Sequence, residues 1–148
     1  MIMAVTDRQA ATLRAQLAGK RDAHKQMFSK LDWPTEGLAY VALMDAAFFK
    51  AVGQRFGGGG STTDDVVNYV ADVRSRLDAA ADAIDPSAAE RLILKVLGYG
   101  SIKDLDGTVA FRAKNFLLAA LIADEQLDDP GLDEFMTQAR KLADQWLA

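Results

Sequence analysis

The fold is decided by residues 109–127, VAFRAKNFLLAALIADEQL. The centre of this stretch, Phe116 to Ala123, contains no polar residue, and a helix that is apolar on every side is normally surrounded by other helices. The run is shorter than the roughly 20 apolar residues that a membrane span needs. The sequence therefore predicts an all-α, single-domain helical bundle with residues 109–127 as its central helix.

About five further helices are predicted from apolar residues at helical spacing and from capping residues beside them. The expected caps include a capping box of Thr6 with Gln9, Asp85 before Pro86, and Asp129 before Pro130. Two of them, over residues 6–30 and 35–56, form an N-terminal antiparallel hairpin that turns at Trp33-Pro34. The others cover residues 63–84, 86–97 and 130–147, and the apolar stripe of the last of these helices runs from Leu132 to Trp146. The chain is expected to be one domain, 1–148, with a possible subdivision into the hairpin 1–56, a flexible Gly-rich loop 57–62 and a four-helix unit 63–148.

Composition limits the chemistry that the chain can carry. There is no cysteine and only one histidine, His24. This excludes a disulfide framework, a thiolate metal site and a two-histidine zinc site. The glycine run lacks the Lys-Ser/Thr ending of a phosphate loop, and we expect no cofactor. The N-terminus has no signal-peptide pattern, so a cytoplasmic location is the default expectation.

The net charge of −4 is unevenly distributed along the chain. Residues 57–148 carry nine Lys and Arg against sixteen Asp and Glu. Nucleic-acid-binding proteins usually present a concentrated basic face, whereas most of this chain would repel phosphate. We therefore expect no nucleic acid and no membrane among the partners.

Asp45 is the sharpest candidate for a binding site. At 100° per residue it falls in the middle of the apolar stripe of the second helix, whose members are Leu38, Val41, Ala42, Phe48, Phe49, Val52 and Phe56. Counting back along the hairpin puts it within about one turn of Arg21 and His24. A buried carboxylate must be paired, hydrogen-bonded or protonated. The three residues form either a ligand site or, more commonly, a structural ion pair that fixes the register of the hairpin.

The second candidate is an acidic corner, defined as residues 124–134 and containing Asp124, Glu125, Asp128, Asp129, Asp133 and Glu134. Carboxylate oxygens suit Mg²⁺ or Ca²⁺, and Asp124, Glu125 and Asp128 are the candidate metal ligands, although the spacing does not match a calcium-binding EF-hand. The other interpretation is an exposed turn whose acids favour the start of the last helix.

The arrangement around this corner also resembles a known family. An apolar helix, an acidic turn and an amphipathic helix over about Phe116 to Ala139 are similar to tellurite-resistance B-type helical domains, in which acidic turns bind divalent metal. The Asp-Gly pair typical of that turn is absent, so the resemblance does not assign the chain to the family.

Two functional hypotheses follow from these observations. The first is a non-enzymatic protein–protein interaction or scaffolding module, with a protein partner or self-association as a homodimer. It rests on the lack of a nucleophile constellation, a histidine cluster and a cofactor motif, and an exposed apolar stripe would support it. The alternative is a small-molecule or divalent-metal-binding helical domain that uses the Asp45 groove or the acidic corner from Asp124 to Glu134.

Overall fold

The computed structural model describes residues 3–77 and 82–148, and within these ranges the chain forms seven α-helices and no strand. The prediction of an all-α helical bundle is confirmed, with seven helices where about six were expected. The helix predicted over residues 63–84 ends at Ser75, and residues 82–84 are not α-helical. Residues 78–81, including Ala80, lie outside the described residues. The helices are α1 (Asp7–Leu17), α2 (Arg21–Ser29), α3 (Trp33–Phe56), α4 (Thr63–Ser75), α5 (Pro86–Val96), α6 (Gly107–Glu125) and α7 (Asp129–Leu147).

The helices are grouped in two compact units. The first contains the chain up to Lys50 and the segment Ile122–Ala148, and the second is Ala51–Leu121. The chain therefore passes between the units inside α3 and again inside α6. The glycine run at residues 57–60 lies within the second unit. The one-domain organisation with a subdivision at residues 57–62 stays a prediction.

The extra helix arises because the chain turns at Gly19. This residue has a φ of +78°, in the left-handed region that glycine adopts without a side-chain clash. Its N–H donates to the carbonyl of Gln16 at 3.1 Å, and the N–H of Lys20 donates to the carbonyl of Ala15 at 3.0 Å. These two bonds are the Schellman pattern that ends a helix. The prediction of one continuous helix over residues 6–30 is therefore wrong.

Gly19→Ala tests this turn. We expect the substitution to lower the free energy of unfolding by about 1–2 kcal/mol, because alanine is strained at positive φ. Urea denaturation at constant m-value measures the change. Gly53→Ala is the matched control: Gly53 is an exposed position within α3, and a Cβ there would meet no atom within 4 Å. Alanine in a helix interior should raise stability by up to about 1 kcal/mol. Equal effects at both sites would contradict the role given to Gly19.

The turn at Gly19 brings the start of α1 to the start of α3. The Arg8 guanidinium donates to the carbonyl of Lys30 at 3.1 Å and pairs with the carboxylate of Glu36. In one continuous helix, residues 8 and 30 would be about 33 Å apart. Glu36 also accepts the backbone N–H of Asp32 at 2.7 Å. That bond, together with the nearby Arg8, lowers the pKa of Glu36.

The position of α7 is fixed by the extended segment before α1. Asp144 accepts the N–H of Val5 at 2.8 Å, and Arg140 donates to the carbonyl of Val5 at 2.8 Å. Arg140 also pairs with Asp7 at 2.7 Å. Both polar backbone groups of the buried Val5 are thus satisfied by one face of α7.

The apolar centre of α6 is buried mainly on one side. The buried residues of α6 are Ala113, Leu117, Leu118, Leu121 and Ile122, whereas Phe116, Ala119 and Ala120 are half-buried and Ala123 is exposed. The expectation that this helix is enclosed on every side is wrong. Small alanines occupy much of the outer side, where they leave little apolar area in contact with water.

Candidate functional site

Three large apolar side chains from the predicted apolar stripes lie on the surface. Leu38 is 66% exposed, Phe49 is 46% exposed and Trp146 is 49% exposed. The apolar stripe of an amphipathic helix normally faces the core, so the sequence pattern predicted that these three residues are buried. That prediction is wrong. Leu38 and Phe49 lie about three turns apart on one face of α3. Half-buried Ala42 and Asp45 lie between them. We call the surface formed by Leu38, Ala42, Asp45, Phe49 and Trp146 the α3–α7 surface.

Phe49 and Trp146 join the two helices of this surface. Their ring centroids are 5.9 Å apart and the rings are inclined by 84°, in an edge-to-face arrangement. Such pairs contribute about 0.5–1.5 kcal/mol beyond the area that they bury. Because α7 is also held by the Val5 contacts, the indole has a defined position in the chain. An ordered aromatic side chain loses little conformational entropy on binding.

The size of the α3–α7 surface indicates what could cover it. Aromatic side chains present about 150–250 Å² each, so the exposed parts of Leu38, Phe49 and Trp146 amount to roughly 250–350 Å². This approaches the range of about 300–600 Å² that the largest, often functional, patch of a monomer reaches. It is less than half of the roughly 800 Å² that each partner contributes to a standard interface.

The structure gives the predicted Asp45 site a different setting. Asp45 is half-buried in the α3–α7 surface and interacts with other groups of the chain. Arg21 is exposed at the first residue of α2. His24 Nδ1 lies 2.9 Å from the carbonyl oxygen of Thr12 on α1. Arg21 and His24 belong to α2 and Asp45 belongs to α3, and the three-residue site stays a prediction.

Several carboxylates of the acidic corner serve the local structure. Asp128 is the N-cap of α7 and accepts the N–H of Gly131 at 2.8 Å. Arg14 of α1 pairs with Asp133 at 2.6 Å and lies 3.6 Å from Asp129. These contacts dock the basic side of α1 on the acidic start of α7, and such partly exposed pairs contribute about 0–1 kcal/mol each.

The other two candidate metal ligands of the corner are at the end of α6. Asp124 is half-buried, and partial burial raises the pKa of Glu125. Both interact with other groups of the chain. In the described part of the chain, no three acidic, histidine or cysteine side chains are grouped so as to hold a metal ion.

Tyr40 is a buried polar residue that the sequence did not single out. Its side chain is fully buried, and among the described residues no group forms a hydrogen bond with its hydroxyl. The ring packs against Phe28 at 5.7 Å and Trp33 at 6.2 Å. Burial raises the pKa of the hydroxyl above its ordinary value, because desolvation disfavours the phenolate.

Tyr40→Phe tests whether this hydroxyl is unsatisfied. A buried, unpaired polar group costs about 1–3 kcal/mol, so we expect the substitution to raise the free energy of unfolding by about 1 kcal/mol. Tyr99→Phe is the control because Tyr99 is 67% exposed, and it should change stability by less than about 0.5 kcal/mol. A loss of stability in Tyr40→Phe would show instead that the hydroxyl is hydrogen-bonded in solution.

Comparison of the chain with protein-family models, curated proteins and solved structures gives no match. Within the described ranges, none of the helices combines the length and apolarity that a bilayer crossing requires. The class that the observations define is an all-α protein with an exposed apolar surface on α3 and α7.

Proposed function

We propose that this protein is a non-enzymatic protein–protein interaction or scaffolding module and that its partner binds the α3–α7 surface. The observation that carries the proposal is the exposure of Leu38, Phe49 and Trp146. Leu38 and Phe49 share one face of α3, and Phe49 contacts Trp146. Contiguous apolar side chains with a polar surround are typical of partner surfaces. Tryptophan is also among the residues that most often dominate binding energy at interfaces.

The partner that fits this surface best is an amphipathic helix of another protein. Leu38, Ala42, Asp45 and Phe49 follow one another at four-, three- and four-residue steps, which forms a straight ridge along α3. Helices pack along such ridges at a shallow angle, and partner helices of this kind bind through anchors at similar spacing. The exposed apolar area suits one short helix better than the larger interface of a stable dimer.

The alternative is a small-molecule or divalent-metal-binding domain at the Asp45 groove or the acidic corner. Its support is the half-buried carboxylate of Asp45 within an apolar stripe, because partly buried carboxylates often belong to sites. A thermal-shift series with divalent metals tests it, since ligands of the folded state raise the melting temperature. A metal-dependent rise that disappears in Asp45→Asn, or in Asp124→Asn/Asp128→Asn, would favour this alternative.

The proposal includes a cytoplasmic location and no cofactor. The support for the location is the absence of cysteine from the sequence, a composition that suits a reducing compartment. The proposed partner is a protein rather than nucleic acid, because the chain has a net charge of −4 and acidic surfaces repel phosphate.

Site-specific photo-crosslinking in cells tests the interaction proposal. A photoreactive phenylalanine derivative replaces Phe49 in one variant, Leu38 in a second and Tyr99 in a control. Tyr99 suits this purpose because it is also well exposed but lies in the second unit. We expect adducts with one other protein from positions 49 and 38 and little adduct from position 99.

The mass of the adduct distinguishes the possible partners. An adduct of twice the mass of the chain at positions 49 and 38 would show that the partner is a second copy of this protein and not a helix of another protein. Equal adduct yields at positions 49, 38 and 99 would indicate random collision, and no adduct at position 49 would contradict the proposal.

A further inference from the structure

A cleft lies between the end of α3 and one face of α4, within the second unit. Its volume is about 390 Å³, which falls in the range of about 300–1,000 Å³ that is usual for small-molecule sites. Asp65, Asn68, Tyr69 and Asp72 line it from α4, at spacings that place all four on one helical face. Arg55, from the last turn of α3, lines the opposite side.

The aromatic part of the cleft already holds a cation. The guanidinium carbon of Arg55 lies 4.7 Å from the centroid of the Tyr69 ring and 6.0 Å from that of Phe56. The two rings pack edge to face at 5.6 Å. A guanidinium within about 6 Å of a ring face is attracted by the electron density of the ring. The Arg55 side chain therefore identifies a position that accepts a flat organic cation.

The α4 face of the cleft adds negative charge. The Asp65 carboxylate accepts the N–H of Thr62 at 2.8 Å, and the Asp72 carboxylate pairs with Arg76 at 2.5 Å. Both carboxylates are held in place by local contacts, and they line the same cleft as Tyr69. The Asp72–Arg76 pair is neutral overall, so the Asp65 carboxylate leaves a net negative charge beside the aromatic ring. This charge attracts organic cations and repels anions.

The Arg55 side chain, which also interacts with other groups of the chain, can change its conformation without a movement of the backbone. It is exposed and lies two residues before the run Gly57–Gly60, and an arginine side chain has several rotatable bonds beyond its Cβ. The buried Phe56 that follows it anchors the end of α3 independently.

We propose that this cleft is a guanidinium-binding site, that Arg55 fills it in the free protein, and that an external guanidinium compound binds when Arg55 moves out. The compound is either a free small molecule or an arginine side chain of a peptide, since the two share the recognised group. The proposal does not depend on the α3–α7 surface, which lies in the first unit and consists of apolar residues apart from Asp45.

Binding of N-acetyl-arginine amide to Arg55→Ala tests the proposal. The matched ligand is N-acetyl-citrulline amide, which has the same shape but a neutral urea group in place of the guanidinium. We expect Arg55→Ala to bind the arginine compound about tenfold more tightly than the unaltered protein does, because the internal competitor has been removed. The citrulline compound should bind neither protein. NMR shifts of the Tyr69 ring protons measure both affinities.

Three results would overturn the proposal. These are failure of folded Arg55→Ala to bind the arginine compound, equal binding of the arginine and citrulline compounds, and equal affinity of Arg55→Ala and the unaltered protein. If Arg55→Ala does not fold, Arg55→Gln serves in its place, because glutamine is also a good helix former and has no charge. Methylguanidinium alone, in place of the peptide-like compound, shows whether the guanidinium group is sufficient for binding.

Discussion

Leu117→Ala is expected to lower the free energy of unfolding by about 2–5 kcal/mol, because it removes a fully buried side chain from α6 and leaves a cavity. Leu117 belongs to the polar-free stretch from which the fold was predicted. A loss of this size is a large part of the roughly 5–15 kcal/mol that stabilises a typical domain. Urea denaturation followed by circular dichroism measures the loss.

Val109→Ala is the control for this prediction. Val109 lies about two turns earlier on the same helix and is 38% exposed. Its truncation should change stability by less than about 0.5 kcal/mol, since surface substitutions have small effects and alanine favours the helix. Similar losses in the two variants would show that the buried side of α6 is not the one described above.

Trp146→Ala is expected to weaken partner binding by about 30-fold or more. This corresponds to about 2 kcal/mol, the threshold for a dominant interface residue. Trp146 is the exposed residue at the end of the α7 stripe and is positioned by its contact with Phe49. The measurement is titration of the purified protein with the partner identified by crosslinking, or sedimentation at several concentrations if that partner is a second copy.

The stability of Trp146→Ala must be measured beside its affinity. Loss of the ring contact with Phe49 should cost about 0.5–1.5 kcal/mol of stability, so the variant should remain folded. Tyr99→Ala, which removes an aromatic ring that is more exposed than Trp146, should leave the affinity unchanged. Unchanged affinity in Trp146→Ala would exclude the indole as an anchor of the interface.

Local signals in the sequence predicted several helix starts correctly. Thr6 forms the predicted capping box with Gln9 at the start of α1, and Asp85 caps α5 ahead of a proline in the first turn. At α7 the cap is Asp128 rather than the expected Asp129. Neighbouring residues determine these features, so the order of residues is sufficient to infer them.

The turn at Gly19 could not be inferred in the same way. A single glycine within a helical pattern is either tolerated at a cost of about 1 kcal/mol or ends the helix. The packing of α2 against α1, including the contact of His24 with the carbonyl of Thr12, favours the second outcome here. That contact joins residues 12 positions apart, so local periodicity does not reveal it.

The exposure of the α3–α7 surface could not be predicted from the sequence, for a related reason. Periodicity shows that Leu38, Asp45 and Phe49 share a face of α3, but it does not show whether another helix covers that face. The Phe49–Trp146 contact joins residues from two distant helices. Only the tertiary structure reveals that these apolar residues are exposed together.

The most direct test of the central claim is the ratio of photo-crosslinked adduct at position 49 to that at position 99 in the same cells. If the α3–α7 surface binds a partner, we expect one discrete adduct at position 49 and a yield at least about tenfold above that at position 99, because specific contacts are concentrated in one patch. A ratio near one would contradict the claim, because it would mean that an exposed aromatic ring outside this surface meets other proteins just as often.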